Sequence, residues 1–431
     1  MKENTIKQLI QDFHNTPLPI PKIRALNSPL DTKKILSIVG PRRAGKTTYC
    51  FSLIQQLIQS GKPLSHILYI NFEDERLDQT TEELDCIVQQ YQILYPEIHL
   101  QDCTFIFDEI QNIPLWERFV RRIYDHTCKN IIVTGSNAKA LSKDIATSLR
   151  GRTLSYEILP LSFKEYLEFL GSTTTPRTTT EIAKVQNHLN TYLIYGGFPE
   201  TVEFDPHLKI KILQEYFEVM MYRDIGERAG ISQSSLLRFF LKRSFSSNTK
   251  SYSINKIYHD LKSAGYKIGK NSLYELAELC KQAYVFFTVP KYTQKIANIE
   301  LGEKKIFAID NGILTALGLL APTEVGKQME QVVFLESYKR YGGNLFFDAN
   351  GYECDLLVGE WDSIHTAIQI TQTLEDPSVK KREIKGLLSA CKKTHLNEGL
   401  LLTLHEEATF TEDGVTIQVK PLWKWLLNTP H

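Results

Sequence analysis

The first 160 or so residues alternate short continuous apolar runs with longer stretches of helical spacing. The runs Ile35-Leu36-Ser37-Ile38-Val39, HILYINFED (66–74), Phe105-Ile106-Phe107 within CTFIFDEIQNIP (103–114), and NIIVTGSNAKAL (130–141) read as buried strands. Between them, apolar positions from Tyr49 to Ser60 recur at helical spacing, and Gly61 supplies a helix stop. Apolar strands alternating with helices predict an α/β domain built on a parallel three-layer sheet through about residue 160.

The pattern changes after that point. GSTTTPRTTTE (171–181) is polar and reads as a loop, YGGFPE (195–200) as a glycine-proline corner, and MYRDIGERAG (221–230) as a solvated or interdomain helix end. LLRFFLKRSF, SINKIYHDLKSAGY and KNSLYELAELCKQAYVFFTV then give three short amphipathic helices, with Gly265 and Gly269 in the second turn and an apolar strand after the third. That order suits a winged helix-turn-helix. Its third helix presents Lys270, Asn271, Tyr274, Glu275, Glu278 and Lys281, so Lys270, Asn271, Tyr274 and Lys281 are the candidate DNA contacts, while the two glutamates repel phosphate. A protein-contacting or purely structural role for this helix is the alternative. From about residue 300 the order becomes helix, strand, strand, strand, helix, strand.

Composition narrows the class. Of 431 residues, 42% are hydrophobic and 23% charged, the mixture of a multidomain globular protein rather than a disordered one. Fifty Lys and Arg balance fifty Asp and Glu, so no global positive field draws the chain to nucleic acid, and any such contact must come from a local patch. No run of eighteen apolar residues occurs and the N-terminus lacks an apolar signal core, so a cytoplasmic protein without membrane contact is expected. Seven scattered cysteines without C-x-x-C spacing are expected to be reduced thiols, and eleven histidines form no metal-ligand pair.

The chemistry-bearing stretch is IVGPRRAGKTTYC (38–50), where Gly40, Gly45, Lys46 and Thr47 fit the phosphate-loop pattern directly after a strand. Gly40 through Thr48 (Gly40, Pro41, Arg42, Arg43, Ala44, Gly45, Lys46, Thr47, Thr48) would wrap phosphates with backbone N–H groups. Lys46 adds charge for the β- and γ-phosphates, Thr47 offers a hydroxyl to Mg²⁺, and the following helix points its N-terminus at the anion. Asp108 and Glu109 follow the third apolar run, about sixty residues on. In a doubly wound sheet the strand ends share one crevice, so Asp108 would hold the Mg²⁺ shell and Glu109 would orient or deprotonate the attacking water. Thr134, Ser136 and Asn137, at the end of the next strand, are polar groups for the γ-phosphate or the water.

GPRRAGKTT, YINFEDER, FIFDEIQNI, VTGSNAKAL, LRGRTLSYEILPLSFKEY, YGGFPE, MYRDI and IDNGI, in that order, resemble a prokaryotic family of AAA-type ATPases. The family carries a C-terminal region of unknown function that combines a winged helix with a restriction-endonuclease-like fold. The resemblance implies an AAA+ core (1–160), a helical lid (161–205), a winged helix (206–300) and a restriction-endonuclease-like α/β domain (301–431). It also implies a polar sensor at Ser136 and an arginine, Arg150 or Arg152, that reaches the γ-phosphate of a neighbouring subunit in a homo-oligomer; pairing of these arginines within their own domain is the alternative. The C-terminal order resembles PD-(D/E)XK nucleases, which places Glu330, Asp355, Gln369 and Thr371 at that family's metal and lysine positions. Gln369 brings a neutral carbonyl where a carboxylate is needed, and Thr371 lacks the lysine charge; Lys380 or Lys381 on the following helix is the alternative source of that charge, but a solvated basic helix face is the expected reading of both. An inactive, binding domain is the expectation. The expected function is binding of ATP with Mg²⁺ and hydrolysis driving a switch that engages double-stranded DNA or a protein partner. An ATP-gated nuclease using Glu330 and Asp355 is the alternative.

Overall fold

The computed structural model describes all residues except Met1, Ile23, Asn27, Asp31, Gln79, 137–148, Arg150, Gln294, 296–298, 300, 301 and 429–431. The chain divides into two compact units, Met1–Leu159 with Gln282–Tyr284, and Pro160–Lys281 with Val285–His431.

The first unit is built on five parallel strands, β1 (Ile35–Val39), β2 (Ile67–Asn71), β3 (Thr104–Asp108), β4 (Asn130–Gly135) and β5 (Thr153–Glu157), in the order β2-β3-β4-β1-β5. All five residues of β1 and of β3 are buried, as expected for strands covered on both faces. Helices α1 (Lys2–Asn15), α2 (Lys46–Gln59), α3 (Thr81–Leu94) and α4 (Trp116–His126) supply the outer layers. Helix α4 shows why the sequence folds this way: Trp116, Phe119, Val120 and Ile123 recur at helical spacing and are the residues it buries. Leu53 and Ile54 of α2 pack with Leu36, Ile38, Ile106 and Ile132 of the sheet. Because β4 lies between β1 and β3, the carboxyl ends of these three strands converge, and the register sets Ile38 of β1 beside Thr134 of β4.

The second unit opens with helices Phe163–Phe169 and Thr179–Tyr195, each started by a reciprocal cap, Ser162 with Glu165 and Thr178 with Glu181. Helix Pro206–Val219 runs into a π-helical turn, Met220–Gly226, in which Met220, Met221, Asp224, Ile225 and Gly226 are buried. At MYRDIGERAG, expected as a solvated or interdomain helix end, Arg223 and Glu227 are exposed, while Asp224 is buried with Met221, Ile225 and Gly226. Helices Ser234–Phe245, Ile254–Ser263 and Lys270–Gln282 follow, with a small sheet of β6 (Ser251–Tyr252), β8 (Lys304–Ala308) and β7 (Phe286–Pro290). Helix Val325–Tyr341 then precedes a six-stranded mixed sheet. Its strands β9 (Leu345–Asn350), β10 (Tyr352–Glu360), β11 (Ser363–Ile370), β12 (Glu398–Thr403), β13 (Ala408–Glu412) and β14 (Val415–Pro421) lie in the order β13-β14-β12-β11-β10-β9. Helix Pro377–Thr394 packs Ile384, Leu387, Ala390 and Cys391 against Leu357, Ala367 and Leu401 of that sheet.

Two sequence motifs meet in this unit. Asp310 accepts hydrogen bonds from the backbone N–H of Gly197 (2.8 Å) and of Gly312 (2.7 Å), while Asn311 Nδ2 donates to the Leu193 carbonyl (2.9 Å). Gly196 has φ 70°, and a Cβ there would fall 1.7 Å from Asp310 Oδ1, so the glycine corner and the aspartate are fitted to one another. Burial pushes the Asp310 carboxyl up to about 7, against the pull of the two N–H donors and the charge of Lys339.

Candidate active site

The phosphate loop joins the carboxyl end of β1 to the first turn of α2. Gly40 has φ 152° and Gly45 φ 95°, and a Cβ on Gly40 would stand 2.0 Å from the Ile158 carbonyl oxygen. Both positions therefore require glycine, and Arg43 (φ 65°) bends the loop between them. Arg24 pins the loop from outside by donating to the carbonyls of Ala44 (2.8 Å) and Leu159 (2.7 Å). Arg42 pairs with Glu73, and Thr48 is exposed on α2.

Lys46 is buried, its Nζ 3.0 Å from Glu109 Oε1 and donating to the Pro41 carbonyl at 3.1 Å. Asp108 is fully buried at the end of β3. It accepts from Thr47 Oγ1 (2.8 Å), Tyr69 OH (2.9 Å) and Thr134 Oγ1, and Thr134 Oγ1 in turn accepts the backbone N–H of Glu109 at 2.9 Å. One hydroxyl on β4 thus fixes both acids. Glu109 takes a left-handed backbone (φ 53°), a strained conformation for a residue with a Cβ. Gln111 Nε2 donates to Glu109 Oε2 and, at 3.4 Å, to Ser136 Oγ, so Ser136 reaches the glutamate through an amide.

These surroundings separate the two acids. Burial, reinforced by the neighbouring Glu109 charge, raises the Asp108 carboxyl against three hydroxyl donors. Burial also acts on Glu109, but the Lys46 charge and the bond from Gln111 outweigh it and hold this carboxyl below its ordinary range. The donor set fits the groups that the sequence implies. The Thr47 hydroxyl and Asp108 carboxylate are adjacent hard oxygens of the kind Mg²⁺ selects, and the loop takes positive φ at Gly40, Arg43 and Gly45, the backbone form of an anion nest.

The expected sites are brought together unevenly. Gly40 to Thr47, Asp108, Glu109 and Ser136 share one end of the sheet. Arg152 does not: its carbonyl accepts from Ile35 N–H at the amino end of β1, roughly 16 Å of strand away. Its Nε lies 3.1 Å from Asp125 Oδ1, the within-domain pairing, so its own subunit's phosphate loop is out of its reach. Arg150 and Asn137 lie outside the described residues. Tyr69, Gln111 and Arg24 were missed. Only the hydroxyl inside the apolar run LYIN and the amide two residues after Glu109 hinted at the first two.

In the second unit Glu330, Asp355 and Gln369 do converge, around a lysine that the sequence reading overlooked. Lys305 of β8 is buried, its Nζ 2.9 Å from Glu330 Oε1, 2.6 Å from Glu353 Oε1 and 3.7 Å from Asp355 Oδ1. Gln369 Oε1 accepts from Asp355 N–H (3.3 Å) while its Nε2 donates to Glu383 Oε2 (2.5 Å). Thr371 bonds the Thr373 carbonyl, and Lys380 and Lys381 are exposed, Lys380 over the Phe410 ring, as on a solvated basic face; the lysine that reaches the cluster is Lys305. Burial works against the Lys305 ammonium, but Glu330, Asp355 and Glu353 outweigh it and raise its pKa. One ammonium cannot neutralise all three acids, and burial raises Glu330 and Asp355. On helix Lys270–Gln282, Lys270, Asn271 and Tyr274 are exposed, and Lys281 pairs with Glu278.

Comparison with known proteins agrees with the nucleotide end of the molecule. An AAA domain family model matches residues 32–167, and a domain of unknown function (DUF8612) matches residues 186–324. The chain is 35% identical over 429 residues to the uncharacterized protein MJ1544 of Methanocaldococcus jannaschii, covering 94% of this chain and 92% of that one. It is 29% identical over 363 residues to an uncharacterized protein of Haemophilus influenzae, covering 84% and 81%. Among solved structures it is similar to a Walker-type ATPase of Pyrococcus abyssi, at 15% identity and TM-score 0.41, over 74% of this chain and 94% of that one. The chain belongs to the AAA-type P-loop ATPase family, with a C-terminal region of unknown function. No described helix is long and apolar enough to cross a membrane.

Proposed function

We propose that this protein binds ATP with Mg²⁺ and hydrolyses it, and that the cycle controls engagement of DNA or a protein partner by the second unit. The observation that carries the reading is the buried Lys46–Glu109 pair at 3.0 Å, which ties the phosphate-binding cation to the candidate base. In binding phosphate, Lys46 exchanges Glu109 for phosphate oxygens. Glu109 is thereby released to accept a proton from water at a carboxylate oxygen, with Gln111 and Ser136 holding its orientation. Thr47 and Asp108 would hold Mg²⁺, which supplies neutralisation of charge on the phosphate oxygens. Thr134, bonded to both Asp108 and Glu109, is the element through which a change at one acid reaches the other and β4.

The alternative, an ATP-gated nuclease, draws support from the convergence of Glu330, Asp355 and Gln369 with a lysine. Against it, Lys305 Nζ lies among the carboxylates that a metal ion would need. The test is steady-state ATP hydrolysis with Mg²⁺, with and without DNA, following DNA integrity in the same tubes. Hydrolysis with intact DNA is expected. No hydrolysis would overturn the first reading, and cleavage abolished by Asp355→Ala would establish the second.

A further inference from the structure

The chain is neutral as a whole, yet residues 231–270 carry eight Lys or Arg and a single acid, Asp260. The structure organises part of this charge. Helix Ser234–Phe245 buries Leu236, Leu237, Phe240, Leu241, Ser244 and Phe245 on one face. The opposite face, at positions 235, 238, 239, 242 and 246, borders an open cleft of about 590 Å³ closed on its far side by Tyr266. Phe239 and Tyr266 are half-buried, their ring centroids 5.7 Å apart and tilted by 51°. Around this aromatic floor stand the hydroxyls of Ser235 and Ser246 and three cations.

The cations differ in their commitments. Arg238 pairs with Glu218 and Arg243 with Asp260, which fixes both guanidinium groups at the cleft wall. Lys242 is exposed and makes no ion pair among the described residues. Ser246 Oγ is committed to Arg243, donating to its carbonyl at 2.8 Å, but an ammonium without a carboxylate, the exposed Ser235 hydroxyl and two aromatic rings are the parts of a single-strand site, where cations and hydroxyls take phosphates and rings stack bases.

We propose that this cleft binds single-stranded nucleic acid, with Lys242 and Ser235 on the phosphodiester backbone and Phe239 with Tyr266 as a stacking platform. The surface lies on a different helix from Lys270, Asn271 and Tyr274. It rests on the reading that the second unit engages nucleic acid, and it replaces duplex recognition by the third helix with strand capture by the first. A protein partner with an acidic segment would use the charge but not the rings.

The test is binding of the full chain to a fluorescent single-stranded 20-mer at two salt concentrations, with the matching duplex and polyglutamate as competitors. Binding is expected to weaken with salt, to fall at least tenfold in Lys242→Glu with a salt slope reduced by about one, and to fall about tenfold in Tyr266→Ala. Tyr274→Ala should leave it within about twofold. Loss that follows Tyr274 instead of Lys242, preference for the duplex, or displacement by polyglutamate as readily as by DNA would each overturn the assignment. Lys242 is exposed, so its variants fold, and their ATP hydrolysis without nucleic acid should match the wild type. A chain that binds the strand through Lys242 but hydrolyses no ATP would refute the hydrolysis reading alone, and one that hydrolyses ATP but binds no strand would refute this surface alone.

Discussion

Two buried lysines, Lys46 in the first compact unit and Lys305 in the second, stand among carboxylates under opposite conditions. Lys46 has one carboxylate partner, Glu109, and the Pro41 carbonyl, inside a loop whose positive-φ glycines aim backbone donors at one point. Lys305 has three carboxylates within 4 Å, one from helix Val325–Tyr341 and two from β10, and an aromatic ring 5.3 Å away. A charge with one partner is arranged for exchange, because a phosphate can replace a single carboxylate without stranding others. A charge shared among three acids is arranged to stay: removing it leaves carboxylates facing one another. The same residue types thus make a ligand site in one place and a fixed electrostatic joint in the other, and the number of partners decides which.

The comparison breaks most visibly at Lys46. Lys46→Ala is expected to weaken ATP affinity by 100-fold or more, measured by calorimetry with Mg²⁺, because the loss of a buried charge on phosphate is worth about 3 kcal/mol. Unchanged affinity would mean that this loop is a structural turn. Glu109→Gln should leave affinity within a few-fold while lowering turnover by about 100-fold or more, since the amide keeps the shape but accepts no proton. Wild-type turnover in that variant would remove Glu109 from the chemistry.

The difference in legibility follows from the same geometry. The first site was readable because its parts are contiguous: a strand, a glycine loop and a helix start within Ile35 to Thr48, and the acids sit at the end of the next strand but one. Chain order sufficed, since a parallel sheet delivers all strand ends to one side. Gln111 and Tyr69 were not readable, because nothing local tells whether an amide or hydroxyl bonds to an acid or to solvent. The second cluster was half readable. Glu330, Asp355 and Gln369 were implied by the resemblance to PD-(D/E)XK nucleases, but Lys305 comes from a separate small sheet, and only the folded chain brings it in. At MYRDI the limit is a single residue: Arg223 is exposed, but Asp224 is buried in a π-helical turn, whose shifted face a helical period of 3.6 does not assign.

Lys305→Met sharpens the other side. It should destabilise the second unit by about 3 kcal/mol near neutral pH, because Glu330 and Asp355, whose side chains are only 15% and 13% exposed, lose their counter-charge. Glu353 is more than half exposed and contributes little to that cost. Both acids have raised pKa values, so in the variant they hold protons at acidic pH, and the loss should shrink toward pH 5. Thermal melting at pH 5 and pH 7.5 checks this. A loss of equal size at both values would point to packing around the methylene chain rather than charge.

The smallest effect is expected at Asp310, which makes no ion pair among the described residues and accepts from the backbone N–H groups of Gly197 and Gly312. Its carboxyl titrates at about 7 in the folded chain, whereas an unfolded aspartate is ionised above about pH 5. Between those values the folded state binds the extra proton, so stability from this group is greatest at acidic pH and falls as pH rises through 7. From pH 5 to 8 the wild type should lose roughly 2 kcal/mol relative to Asp310→Asn, whose side chain carries no charge at either pH. The measurement is the difference in melting temperature between the two proteins across that range. This cancels other titrating groups and the constant cost of changing the hydrogen bond. A flat difference would mean that the Gly197 and Gly312 donors hold Asp310 ionised throughout, making the glycine corner a carboxylate nest. A falling one would make it a neutral joint, set apart from both lysine sites by needing no counter-charge at all.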